Sequence, residues 1–101
     1  MASYFVSRHP GAKAWAERQG MTVDALVEHL EVTVVQAGDV VIGTLPVNLA
    51  AEVCARRARY LHLILPLPPE LRGRHLTAED MARLGARLDE YRIERVLSKE
   101  E

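Results

Sequence analysis

Residues 40–43 read Val-Val-Ile-Gly, set between the turn residues Gln36-Ala37-Gly38-Asp39 and the string Thr44-Leu45-Pro46. A near-continuous apolar run of this length suits a strand buried on both faces, and such strands belong to parallel sheets covered by helices on either side. Pro46 fits the first turn of a helix, where its missing N–H costs nothing, and Thr44 is placed to cap free backbone donors. Val47, Ala50, Ala51, Cys54 and Ala58 then recur at helical spacing. A buried strand that turns directly into a helix is the elementary unit of an α/β fold, and it restricts what the rest of the chain can build.

The remaining segments fit that frame. Tyr4-Phe5-Val6 is a short aromatic and β-branched run, typical of a strand, and it stops at Ser7-Arg8-His9-Pro10-Gly11. From Ala12 to about Gln19 the spacing predicts a helix, with Ala12, Trp15, Ala16 and Gln19 on one face and Gly20 as its stop. Met21–Leu30 fits helix and strand in part; a strand around Ala25–Leu30 is favoured, because one is wanted between two helices. Arg59–Leu65 alternates as a strand and ends at Pro66-Leu67-Pro68-Pro69. Thr77 followed by Asp80 resembles a capping box, and Met81, Leu84, Leu88 and Tyr91 predict one last helix. The tail Ser98–Glu101 is expected to fray. The order becomes β-α-β-β-α-β-α: a single α/β domain over residues 1–101, its sheet mostly parallel and flanked by helices.

Composition excludes several functions. A chain of 101 residues is one domain by length. Its net charge of −1 provides no global basic field for a long nucleic acid, so an anionic ligand needs a local site. Cys54 is the one cysteine, and reads as a small buried hydrophobe. No run approaches the roughly 20 apolar residues of a membrane span, and Arg8 and His9 break any secretory pattern, so a cytoplasmic location is expected and no membrane partner. His9, His29, His62 and His75 are scattered, with no H-x-x-x-H pair and no cysteine cluster, so neither a metal nor another cofactor is expected.

In a parallel α/β sheet, ligands bind beyond the carboxyl ends of the strands. That rule selects the Ser7–Gly11 loop, the Gly43–Asn48 loop and the turn after Leu65. Arg8 can grip a phosphate through two parallel hydrogen bonds, and His9 titrates near neutrality and could transfer a proton. Gly11 would let backbone approach a ligand at a helix start. Thr44 and Asn48 carry groups suited to ribose hydroxyls, base edges or phosphate oxygens. His29 reads equally as a site residue or an ordinary strand end, and Arg72 as a secondary phosphate contact or a solvated loop residue. None of these loops is a dinucleotide or Walker motif, and each also reads as plain surface.

The strings Tyr4-Phe5-Val6-Ser7-Arg8-His9-Pro10-Gly11, His29-Leu30, Gly38–Cys54 with its Gly-Thr-Leu-Pro-Val-Asn-Leu-Ala-Ala-Glu-Val-Cys core, Arg59–Leu63 and Pro69–Gly73 resemble the sixteenth member of the Csx series of CRISPR accessory proteins. The likeness covers roughly residues 3–92. It implies a compact Rossmann-like domain, related in architecture to CARF sensors and working as a ring nuclease of type III CRISPR immunity. The substrate it implies is cyclic tetra-adenylate, cut without a metal into linear di-adenylates with 2′,3′-cyclic phosphate ends. On that reading Arg8 stabilises phosphate, His9 moves a proton, Ser7 orients phosphate or ribose, and Thr44 and Asn48 bind ribose or adenine. Gly11, His29 and Arg72 complete the expected contacts. A four-unit ring and a small domain together imply a homodimer with the ligand at the subunit interface. A non-catalytic sponge or sensor for the same ring is the alternative.

Overall fold

The structure is a computed structural model that describes residues 1–97, so the expected fraying of Ser98–Glu101 lies outside the described residues. Five strands form one sheet: β1 (Ser3–Val6), β2 (Ala25–Val27), β3 (Val40–Gly43), β4 (Arg59–Ile64) and β5 (Arg87–Tyr91). Three helices connect them: α1 (Ala12–Arg18), α2 (Val47–Ala55) and α3 (Ala78–Arg83). Short 3-10 turns lie at Val32–Val34 and Pro69–Leu71. Across the sheet the strands run β2-β1-β3-β4-β5. The first four are mutually parallel and β5 is antiparallel to β4. The expected mostly parallel, helix-flanked α/β domain is the one observed.

Strand alternation sorts side chains into two cores. Phe5, Ile42 and Leu63 face α1 and α3, where they meet Ala12, Trp15, Ala16 and Met81. Val41 and Tyr60 face the other way, toward Leu45, Ala50 and Val53 at α2. Trp15 is buried because Ala12, Trp15 and Ala16 occupy one helical face. Burying a side chain of this size contributes about 1.5–3 kcal/mol. At the amino ends of the strands, buried Asp39 accepts hydrogen bonds from the N–H groups of Ala2 (2.9 Å) and Gln36 (2.9 Å). It thereby fixes the entry to β3 against the start of β1.

Three expectations need correction. The last helix ends at Arg83, and Arg87–Tyr91 is a strand. Gly85 takes φ +82, a left-handed backbone that stops the helix, and Leu88 then pairs with Leu63 on β4. The spacing of Leu84, Leu88 and Tyr91 matched a helix only because it spans two elements. The element order therefore gains a final strand, β-α-β-β-α-β-α-β. The favoured strand Ala25–Leu30 is shorter, Ala25–Val27. Finally, α2 starts at Val47 with Pro46 as an uncapped N-cap residue, so Thr44 does not cap it. The Thr77–Asp80 capping box is present, with Asp80 N–H on Thr77 Oγ1 (3.1 Å) and Thr77 N–H on Asp80 Oδ2 (3.0 Å).

Candidate functional site

From β1 the chain crosses through α1 to β2 on one side, and from β3 it crosses through α2 to β4 on the other. The winding direction therefore reverses between β1 and β3, which are adjacent, parallel and in register with Val6 opposite Gly43. Such a reversal opens a crevice beyond the carboxyl ends of the two strands, the usual ligand position in open α/β sheets. The Ser7–Gly11 loop leaves one lip and the Gly43–Asn48 loop leaves the other. Arg8 and Asn48 thus rise from the same end of the sheet.

The first loop is shaped by its own hydroxyl. Ser7 Oγ accepts the His9 N–H (3.0 Å), and Ser7 N–H donates to Val27 at the end of β2 (2.9 Å). Ser7 Oγ–H remains a donor. Arg8 is exposed and, among the described residues, makes no ion pair. His9 is half-buried, and its Nδ1 accepts the Leu76 N–H (3.2 Å), joining this loop to the start of α3. Burial, then the neighbouring charges of His75 and Arg8, hold the His9 pKa below its ordinary value. The ring is therefore neutral near pH 7, with its hydrogen on Nε2. That edge can donate a hydrogen bond to an anion. Protonating Nδ1 would set two donors against each other, so proton transfer by His9 requires the Leu76 bond to open.

Gly11 has a different role from the one expected. A Cβ there would lie 2.3 Å from backbone atoms of Thr77 and Ala78, so its lack of a side chain lets α1 and α3 begin side by side. Its N–H already donates to Leu76 O (3.2 Å), and Ala12 N–H donates to His9 O (3.1 Å). Gly11 serves packing, and these amides are not open to a ligand.

On the other lip, Thr44 and Asn48 are exposed. Thr44 Oγ1 reaches Leu63 O only at 3.5 Å, which leaves its hydroxyl nearly free. A buried residue that sequence reasoning missed holds this loop: Tyr60. Its hydroxyl accepts the Leu45 N–H (2.9 Å) and lies 3.1 Å from Gly43 O and 2.7 Å from His62 Nδ1. One proton serves two neighbours, and the His62 tautomer decides which. Burial pushes the Tyr60 phenol pKa up, so the hydroxyl keeps that proton. The alternation of Arg59–Leu65 put Tyr60 and His62 on one strand face, but nothing local indicated that the face meets the β3–α2 loop.

His29 follows β2 and is exposed at the same end of the sheet; Arg72 is exposed in the segment between β4 and α3. That segment reaches the site through Leu76. A concavity of about 420 Å³ lies at the opposite end, lined in part by Tyr4, Asp24, Gln36 and Asp39. Its carboxylates are committed to the fold: Asp39 as above, and Asp24 to the Ser3 N–H (2.8 Å). Among the described residues no three His, Cys, Asp or Glu side chains gather as a metal site. Among the described residues no helix is long and apolar enough to cross a membrane.

The profile of one protein family, described as "Putative CRISPR-associated protein (Cas_VVA1548)", matches residues 4–94, which includes every loop named above. The chain belongs to this CRISPR-associated family. Comparison with curated proteins and with solved structures returns no match. CRISPR association thus joins a sheet end that carries an arginine with no ion pair among the described residues, a neutral histidine and exposed hydroxyl and amide groups. That set suits a nucleotide phosphate and its ribose.

Proposed function

We propose that this protein is a ring nuclease for cyclic tetra-adenylate, acting without a metal to end type III CRISPR signalling. The observation that carries the reading is that the Ser7–Gly11 and Gly43–Asn48 loops leave the adjacent carboxyl ends of β1 and β3, at the switch point of the sheet. Such an enzyme has to hold a ribose 2′-hydroxyl in line with the adjacent phosphorus. The 2′-oxygen forms a bond to phosphorus as the bond to the 5′-oxygen breaks; the 2′ proton leaves and the 5′-oxygen gains one. Positioning can supply much of the acceleration, and donors aimed at the crowded phosphate supply more. Arg8 stabilises the phosphate charge. Ser7 Oγ–H and His9 Nε2–H donate to its oxygens, and Thr44 and Asn48 orient ribose or adenine. His29 and Arg72 add outer contacts. A homodimer matches the symmetry of the ring.

One observation favours sequestration instead. His9 Nδ1 is occupied by Leu76, so the ring provides a donor and no free base. A protein that only grips the ring would look the same. The experiment is incubation with labelled cyclic tri-, tetra- and hexa-adenylate, with and without a chelator. Linear di-adenylate from the tetramer under multiple turnover, unchanged by the chelator, is the expected result. Stoichiometric retention of intact ring would establish the sponge, and indifference to all three rings would remove both readings.

A further inference from the structure

In-line attack by a 2′-hydroxyl needs a proton at the departing 5′-oxygen, and no group on the two lips supplies it. Arg8 cannot be deprotonated, and Ser7, Thr44 and Asn48 do not exchange charge near neutrality. His9 has its Nδ1 lone pair on the Leu76 N–H. The Nε2–H of a neutral imidazole donates a hydrogen bond but does not give up its proton. His29 follows the edge strand β2, so β1 separates it from the Gly43–Asn48 lip.

The bond to Leu76 brings another imidazole to the site. The nitrogen that meets His9 belongs to the peptide bond between His75 and Leu76, so the His75 carbonyl carbon lies ~1.3 Å beyond it. Three ties hold this point of the chain. Leu76 N–H donates to His9 Nδ1 (3.2 Å), Leu76 O accepts the Gly11 N–H (3.2 Å), and the Leu76 side chain, 2% exposed, is packed in the core of α1 and α3. Thr77 follows at once and opens α3 with its capping box. His75 is therefore exposed on a backbone that is fixed beside the Ser7–Gly11 loop. Its charge reaches His9, whose pKa it lowers after burial and ahead of Arg8. Arg8, His9 and His75 thus form one cluster. Among the described residues the His75 ring makes no hydrogen bond, which leaves both nitrogens open to a ligand.

We infer that His75 is the acid of the cleavage, giving an imidazolium proton to the departing 5′-oxygen while Arg8 and His9 hold the phosphate. An imidazole gains and loses protons in the neutral range, as a residue in this role has to do. The 2′-oxygen bonds to phosphorus, the bond from phosphorus to the 5′-oxygen breaks, and that oxygen takes the His75 proton. The 2′ proton passes to water, and His75, open to solvent, takes one back from water. This role rests on the nuclease reading and adds to it a catalytic residue that enters through the Leu76 anchor.

The test compares two rings: cyclic tetra-adenylate, and its analogue with sulfur in place of each bridging 5′-oxygen. A thiolate departs without a proton, so the sulfur ring does not need the acid. His75→Gln alters an exposed side chain, and its circular dichroism and melting should match wild type. On the oxygen ring its kcat should fall at least about 100-fold, with KM within about threefold of wild type. On the sulfur ring the two proteins should turn over within about threefold of each other. Arg8→Ala should stay slow on both rings, because both place charge on the phosphate. Wild-type cleavage of the oxygen ring matched by His75→Gln overturns the role of His75, as does a His75→Gln defect that persists undiminished on the sulfur ring. A wild type that cleaves neither ring removes the nuclease reading and the role with it, and the wild type alone reports that outcome.

Discussion

Arg8 makes no ion pair among the described residues, whereas Arg59 forks onto Glu90 and Arg83 pairs with Asp80. Arg8→Ala should therefore leave the melting temperature nearly unchanged while cleavage of cyclic tetra-adenylate falls at least about 100-fold. A parallel assay of both quantities checks this. Asp39 is the opposite case, a charge that works for the fold. Hydrogen bonds from Ala2 and then Gln36 hold its carboxyl below the ordinary carboxylate range. Its contribution is fully present above the unfolded value of about 4, and is lost as pH falls through the lower folded value. Asp39→Asn sets an amide against a backbone donor and should cost about 1–3 kcal/mol at neutral pH. Denaturant melts of both proteins from pH 7 to pH 3 should converge in acid. His9 adds an acid sensitivity of the same sign, because its lowered pKa means that the unfolded chain takes the proton first.

Much was legible one element at a time. Phe5, Val41 and Ile42 have the composition of buried parallel strands, and Ala12, Trp15 and Ala16 the spacing of one helical face. Thr77 and Asp80 named their own capping box. The final strand was not legible, because Leu84, Leu88 and Tyr91 lie at helical intervals while Gly85 sits among them. Periodicity is blind to an element boundary that falls inside its window. Gly85, at φ +82, is where that boundary is enforced. Gly85→Val should cost about 1–2 kcal/mol by forcing a side chain into the left-handed region. Gly20→Val, also at positive φ with open space around it, should cost a similar amount; a urea titration of each compares them. In the site, the loops could be named from sequence because each follows a strand. The role of Gly11 could not, since the clash that demands glycine comes from Thr77 and Ala78, far along the chain.

At the scale of the whole molecule, the strand order β2-β1-β3-β4-β5 is what turns separate loops into one site. Local sequence does not encode that order; it follows from how the two cores pack on opposite faces of the sheet. If the crevice binds cyclic tetra-adenylate in the folded state alone, ligand at 100 times its dissociation constant should stabilise the fold by about 2.7 kcal/mol. A thermal shift series against ring concentration checks the size of the effect, and linear adenylates of equal length should give less. The bond from Leu76 N–H to His9 joins positions 67 residues apart. It gives the molecule one amide whose deuterium uptake records the state of the Ser7–Gly11 loop on a different part of the chain. Slow exchange at Leu76 means that the imidazole is in place, and a spectrometer following that single proton could watch the loop open and shut without any label on the nucleotide.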